Sequence, residues 1–465
     1  MDYPTPISGT SAAGTPATTP TADAAPPASN QVPPRIANIL INALKGGVVP
    51  RVGLEYITVG RALEIDAILR DVDLVADGGA TFRFIVGRYG SGKSFLLQTI
   101  RNHATARGFA VVDADLSPER RFAGTKGQGL ATYRELVSNL STKSKPDGGA
   151  LPLIIERWIS GIQTEVATKV SPTDSRFDQL VEQRVIEVAS SLEGMVNGFD
   201  FARAIITYWK AYQADDSTTK SNVLKWFRAE YPTRREAKAD LGINFIVTDE
   251  NWYDFLKVLA SFLVSAGYRG LLVMIDELVN IYKIPNSITR QNNYEKILTI
   301  YNDVLQGKAS HIGFLMGGTP QCIEDRYRGI FSYEALRSRL AEGHFSTEDL
   351  KDLTAPIIRL SMLTQEEMYV LIEKLRDIHA QLYQYQPMLS HDDLVYFLTV
   401  EYNRVGADSH ITPREIIRDF IELVNILHQN PELAVADILG SNSFEMAKGG
   451  LSDEDIHSEF AEFEV

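Results

Sequence analysis

Residues 87–94 read Gly87-Arg88-Tyr89-Gly90-Ser91-Gly92-Lys93-Ser94, the spacing G-x-x-x-x-G-K-[ST] that suits a polyphosphate. Glycines let successive backbone N–H groups converge on an anion at a helix N-terminus, Lys93 adds positive charge, and Ser94 offers an oxygen to Mg²⁺. An ordinary glycine-rich turn is the bland alternative. The flanks favour phosphate chemistry: the apolar run Phe82–Val86 enters as a strand, and Phe95-Leu96-Leu97 leaves as a helix. Gly87 to Phe95 are therefore the candidate nucleotide contacts.

A second cluster supplies what that loop needs. Leu271-Leu272-Val273-Met274-Ile275 reads as a buried strand and ends in Asp276-Glu277, about 180 residues downstream. Ligands of open α/β sheets gather at the carboxyl ends of strands, so two carboxylates delivered there can face the loop. Asp276 would orient Mg²⁺ together with Ser94, and Glu277 would polarise an attacking water. Taken alone, the same run is also just a strand leaving the core. Thr319 follows the apolar strand Ile312–Met316 and can sense a γ-phosphate; Gly317-Gly318-Thr319-Pro320 reads equally as a turn chosen for its backbone. Arg337 and Arg339 can reach a neighbouring subunit's nucleotide and neutralise transition-state charge, or merely form surface ion pairs.

Thr412-Pro413-Arg414-Glu415 has a Thr N-cap, Pro at the first helical position and Glu at the third. That puts Arg414 in a first turn, where the helix dipole disfavours a cation by ~0.3–1 kcal/mol. A bound phosphate or a nearby acid would offset the cost. Val59-Gly60-Arg61 sits where a segment can cover a base and ribose; on its residues alone it is a turn into a helix.

The elements that must position these groups alternate. Strands at 82–86, 109–113, 270–275 and 312–316, separated by helices, predict an α/β fold with a parallel sheet flanked by helices. Helices are expected at Ile36–Leu44, closed by Gly46-Gly47, at Ala62–Leu69 and at about 291–306, with 52–59 extended. The stretch between the second and third strands is mainly helical, which suggests an inserted subdomain at about 150–245. From about 360 the pattern is helical only: Gln365–Leu382, Asp392–Tyr402 and Pro413–Gln429. The expected organisation is a disordered Pro/Thr/Ala-rich tail at 1–34, a phosphate-loop domain at 35–358, an all-helical lid at 359–432 and an acidic tail at 433–465.

Composition narrows the class. With 465 residues, 44% hydrophobic and 23% charged, the chain is neither collagen-like nor wholly disordered and has room for two or three packed units. Cys322 is the single cysteine and no Cys/His cluster has zinc spacing, so any metal is oxygen-bound and a cytoplasmic, reducing compartment is expected. Apolar runs fall short of the ~20 residues a bilayer needs, so no membrane association is expected. The net charge of −14 is uneven: residues 35–245 carry 28 bases and 24 acids, residues 246–465 carry 18 and 34. A whole-protein basic footprint for nucleic acid is excluded, which leaves room only for a local one. The histidines are scattered singly, G-x-S-x-G is absent, and Trp158, Trp209, Trp226 and Trp252 read as core.

In order along the chain, Val59-Gly60-Arg61 with Glu64, the phosphate loop, Asp276-Glu277, Ser338-Arg339 and Arg414 resemble the AAA+ P-loop ATPases, in particular the origin-recognition and initiator branch and its signalling relatives. Longer segments look like the ATP-binding protein of bacteriophage-exclusion (BREX) systems, the BrxD type. Among them are ALKGGVVPRVGLEYITVGR (43–61), FIVGRYGSGKSF (84–95), DADLSPERRF (113–122) and GGTPQCIEDRYRGIFSYEALRSRL (317–340).

The resemblance spans about 36–432. It implies an ATPase with ATP and Mg²⁺ as cofactors, acting in antiviral defence beside a partner DNA helicase, with DNA as eventual substrate. The expected enzyme is a homo-oligomer whose ATP cycle remodels or loads that helicase. Lys93 would hold the β- and γ-phosphates, Ser94 and Asp276 Mg²⁺, and Glu277 water. Thr319 and Arg414 would report nucleotide state, and Arg339, with Arg337 in reserve, would act across a subunit boundary. A slow-turnover, ATP-dependent regulatory switch is the alternative.

Overall fold

Uninterrupted apolar runs become the strands β1 Ala80–Gly87, β2 Ala110–Asp115, β3 Leu271–Asp276, β4 Ile312–Gly318 and β5 Ile357–Leu360. They form one parallel sheet in the order β2-β3-β4-β1-β5, flanked by helices on both faces. The structure is a computed structural model that describes residues 31–190, 198–340, 352–404 and 412–440. Of the expected tails, residues 1–30 and 441–465 lie outside the described residues.

Side chains alternate between the two faces, as a period of two requires. Phe82, Phe84, Val112, Val273, Ile275, Phe314 and Met316 join one core. Ile85, Val111, Leu272, Met274 and Leu315 join the other, beneath the helices Ala62–Ala76 and Lys93–Ala106. The first core continues into the helices between β2 and β3, including Leu151–Ala167, Gly198–Gln213 and Trp252–Ser265. All four tryptophans are buried there.

A third core joins chain ends. Leu40, Ile41 and Leu44 of the helix Pro34–Lys45 pack with Leu371 and Ile372 of Gln365–Tyr383 and Phe420 and Val424 of Pro413–Gln429. The N-terminal helix thus shares its buried face with the C-terminal helices.

Two sequence expectations are corrected. The stretch 52–59 is not extended throughout: Leu54–Ile57 is a single helical turn, started by Gly53 at φ 81° and burying Leu54 and Ile57 on the same side. An i, i+3 apolar pair supports such a turn, whereas a half-buried strand needs alternation. The segment near 360 is not wholly helical either. Ile357–Leu360 is edge strand β5 beside β1, too short for its period to show in sequence.

Leu40 is fully buried, so Leu40→Ala is expected to cost ~2–5 kcal/mol. Urea unfolding checks this; a loss below ~1 kcal/mol would mean that the N-terminal helix is not part of the third core.

Candidate functional site

β1 ends at Gly87 and hands the chain to a turn that opens the helix Lys93–Ala106. Gly90 and Gly92 have φ of 79° and 85°, the left-handed region that costs an L side chain roughly 1–2 kcal/mol. A Cβ on Gly92 would meet nothing within 4 Å, so the loop is open on that side. The Lys93 ammonium donates to the carbonyls of Gly87 at 2.9 Å and Arg88 at 3.0 Å and closes the turn from within. Ser91 Oγ is buried without a partner among the described residues. Open backbone donors, a cation and an unpaired hydroxyl together match a polyphosphate.

Across the sheet edge, Ser94 Oγ donates to Asp276 Oδ2 at 2.9 Å. β3 is separated from β1 by β4, and its carboxylate reaches the loop because β4 carries Gly317 at the crossing. A Cβ on Gly317 would stand 2.1 Å from Asp276 Oδ1. That oxygen also accepts the backbone N–H of Glu277 at 2.8 Å. Glu277 has φ 63°, a left-handed conformation that costs a non-glycine residue ~1–3 kcal/mol and turns the chain sharply at the strand end. Burial, then Asp276 and Asp115, push the Glu277 carboxyl above its ordinary range, opposed by Lys93 and Lys283. Burial lowers the Lys93 ammonium, opposed by Asp276 and Glu277.

Sequence reasoning did not single out Asp115, which ends β2 in register with Asp276. Burial and then Asp276 and Asp113 raise its carboxyl as well. The signal was present: β2 ends Asp113-Ala114-Asp115 much as β3 ends Asp276-Glu277, and only strand adjacency gives this meaning. Hard oxygen donors at Ser94 and Asp276 suit Mg²⁺ held jointly with a nucleotide's phosphates. Among the described residues, no group of three or more His, Cys, Asp or Glu forms a metal site by itself.

Beside the loop lies an apolar cavity lined by Leu44, Val48, Val49, Val59, Phe95 and Ile417. Arg61 also borders it, but its guanidinium is committed: it donates to the carbonyls of Gly60, Ser91 and, at 2.6 Å, Ser361. It clips the phosphate loop to the end of β5. Gly60, at φ 67°, is packed against the Glu367 carboxylate.

The helix Pro413–Gln429 begins with the expected capping box between Thr412 and Glu415. Thr412 lies against Gly90, so this N-terminus meets the loop tip. Arg414 donates to the Tyr89 hydroxyl at 3.0 Å, and its guanidinium lies 5.7 Å from the ring centroid. The phosphate loop itself supplies this partner, one that neither offset weighed from sequence foresaw.

Thr319 follows β4, the strand between β1 and β3, and its hydroxyl accepts the Cys322 N–H to cap the helix Pro320–Glu324. The hydroxyl proton remains available as a donor. Arg337 pairs with Glu334, and Arg339 donates to Asn302 at 3.1 Å and to the Ala335 carbonyl. These partners lie outside the loop and carboxylate cluster, so the structure does not bring the two arginines to this chain's own site.

A family model described as BREX system ATP-binding protein BrxC/D matches residues 32–443. The chain belongs to this BrxC/D family. Its members are ATP-binding components of BREX defence. Comparison with curated proteins returns no match. The family match spans the sheet, the phosphate loop, the carboxylate pair and the helix Pro413–Gln429 alike. Among the described residues of this BrxC/D protein, no helix is long and apolar enough to cross a membrane.

A carboxyl raised on folding favours the folded state at low pH and loses that contribution as pH rises through its raised value. Glu277→Gln is therefore expected to melt higher than the native chain at neutral pH. The gap should close on acidification below the ordinary glutamate range. Identical melting at pH 7, followed by circular dichroism, would show that the Glu277 carboxylate is not disfavoured by its site.

Proposed function

We propose that this protein is an AAA+-type, Mg²⁺-dependent ATPase of the BrxD type, whose ATP cycle remodels or loads a partner helicase on DNA in the cytoplasm. The carrying observation is the 2.9 Å contact between Ser94 and Asp276, with Glu277 next in the chain. It joins the two parts that phosphoryl transfer to water requires, a phosphate cradle and a carboxylate pair.

In this reading the N–H groups of Gly90, Gly92, Lys93 and Ser94 and the Lys93 ammonium bind the β- and γ-phosphates, and the apolar cavity takes the base. Ser94 and Asp276 would hold Mg²⁺, which when bound supplies charge neutralisation at the phosphates. Glu277 accepts a hydrogen bond from the attacking water, with a carboxyl whose raised basicity suits a base. Thr319 offers its hydroxyl between loop and carboxylates.

Arg414, moored on Tyr89 of the loop, moves with the lid helix and reports phosphate occupancy. Arg339, with Arg337 as second choice, serves the site of a neighbouring copy, so activity would require a homo-oligomer. The same division of labour supports a phosphate-loop domain followed by a helical lid, with the helices between β2 and β3 as an insertion.

Lys93→Ala is expected to abolish nucleotide affinity in a fluorescent-nucleotide titration; unchanged affinity would remove the loop from the site. Glu277→Gln is expected to keep ATP and lose turnover by about 10²-fold or more. Steady-state turnover against protein concentration, with and without DNA, separates a motor from a slow switch. A steep rise with assembly or DNA supports the motor, and slow, insensitive turnover supports the switch.

A further inference from the structure

Tyr327 is 89% exposed, the highest value among the described large hydrophobic residues. It stands between Arg326 and Arg328, both exposed, at the tip of a short loop after the helix Pro320–Glu324. Exposure of this kind usually accompanies a mobile loop, but this one is braced from several sides. Asp325 Oδ1 accepts the N–H groups of Tyr327 at 2.7 Å and Arg328 at 3.2 Å, and Oδ2 accepts the Tyr282 hydroxyl at 2.8 Å. The Tyr294 hydroxyl donates to the Arg328 carbonyl at 2.5 Å. Gly329 closes the turn where a Cβ would meet Asp325 O at 2.7 Å. The Arg328 guanidinium lies 5.3 Å from the Tyr282 ring centroid.

We infer that this tip is a contact for single-stranded nucleic acid, with the Tyr327 ring stacking on a base and Arg326 and Arg328 meeting phosphates. An exposed ring on a braced backbone, with cations on either side, is an arrangement that sequence-tolerant base stacking can use. Local charge agrees. Lys283, next to Tyr282, is exposed, the Asp325 carboxylate is committed within the turn, and Glu324 pairs with Arg359. The chain's net charge of −14 does not oppose a contact this small, because exposed charges more than about 8–10 Å away are screened.

The tip also hangs on both segments that leave the nucleotide site. Tyr282 ends the helix that follows Glu277, and Asp325 directly follows the helix that Thr319 caps. The inference extends the proposed action on DNA and rests on that reading for the strand's place in the cycle; binding itself is tested without nucleotide.

The full chain is titrated into fluorescent oligodeoxyuridine and oligouridine, which differ only in the sugar, at several salt concentrations, followed by anisotropy. Tyr327→Ala is expected to weaken binding roughly 5- to 150-fold, while Tyr327→Phe retains it. Arg326→Ala is expected to flatten the slope of log affinity against log salt by about 0.7. Equal weakening with both oligomers assigns the contact to stacking alone, and a larger effect with one assigns the preferred sugar.

Wild-type protein that binds neither strand, or Tyr327→Ala that binds as wild type does, overturns the inference. So does a Tyr327→Ala change in sedimentation at unchanged strand affinity, which would make the tip a subunit contact. A parallel fluorescent-ATP titration keeps the two readings apart: Tyr327→Ala should bind ATP normally, and failure of the wild type there would sink the ATPase reading without touching the strand result.

Discussion

Ser94 and Asp276 are 182 positions apart in the chain and 2.9 Å apart in space, and most of the site follows from that one hydrogen bond. It requires the phosphate loop at the end of one strand and the carboxylate at the end of another, with β4 between them. It also requires that β4 carry no side chain at the crossing, a condition met by Gly317. The parallel sheet is thus more than a scaffold: parallel pairing puts every strand's carboxyl end on one edge, where loop, acids and Thr319 converge.

Electrostatics at that edge are balanced against burial. Burial, reinforced by the crowding of Asp115, Asp276 and Glu277 near Lys93, makes Glu277 and Asp115 hold protons more tightly than free carboxyls do. A cation brought in with phosphates would relieve this repulsion, which links the chemistry of the site to the stability of the strand ends. The left-handed backbone at Glu277 is a second local cost, accepted where the chain must turn directly after Asp276.

The C-terminal part of the described chain, from the end of β5 onward, is tied to this edge at three places. Arg61 joins the loop to Ser361, Arg414 lies on Tyr89, and Thr412 abuts Gly90. The helix Pro34–Lys45 shares a core with the helices Gln365–Tyr383 and Pro413–Gln429, so it is packed as part of the same unit. The phosphate loop, the C-terminal helices and the helix Pro34–Lys45 are therefore in one continuous run of contacts.

Four strands, the phosphate loop, Asp276-Glu277 and the capped helix Pro413–Gln429 were legible in the residues because each rests on local rules: apolar runs, glycine spacing, cap chemistry. Family membership was legible too, because it rests on ordered segments over most of the chain. The tertiary structure decided the rest. Only strand order makes Gly317 a space for a carboxylate and Asp115 a neighbour of Asp276. Only the folded chain shows the Arg61 guanidinium held by carbonyls, Arg414 partnered by a loop tyrosine, and the first helix packed on the last ones. These are long-range contacts between residues with no spacing relation, so no periodicity in the sequence can encode them in readable form.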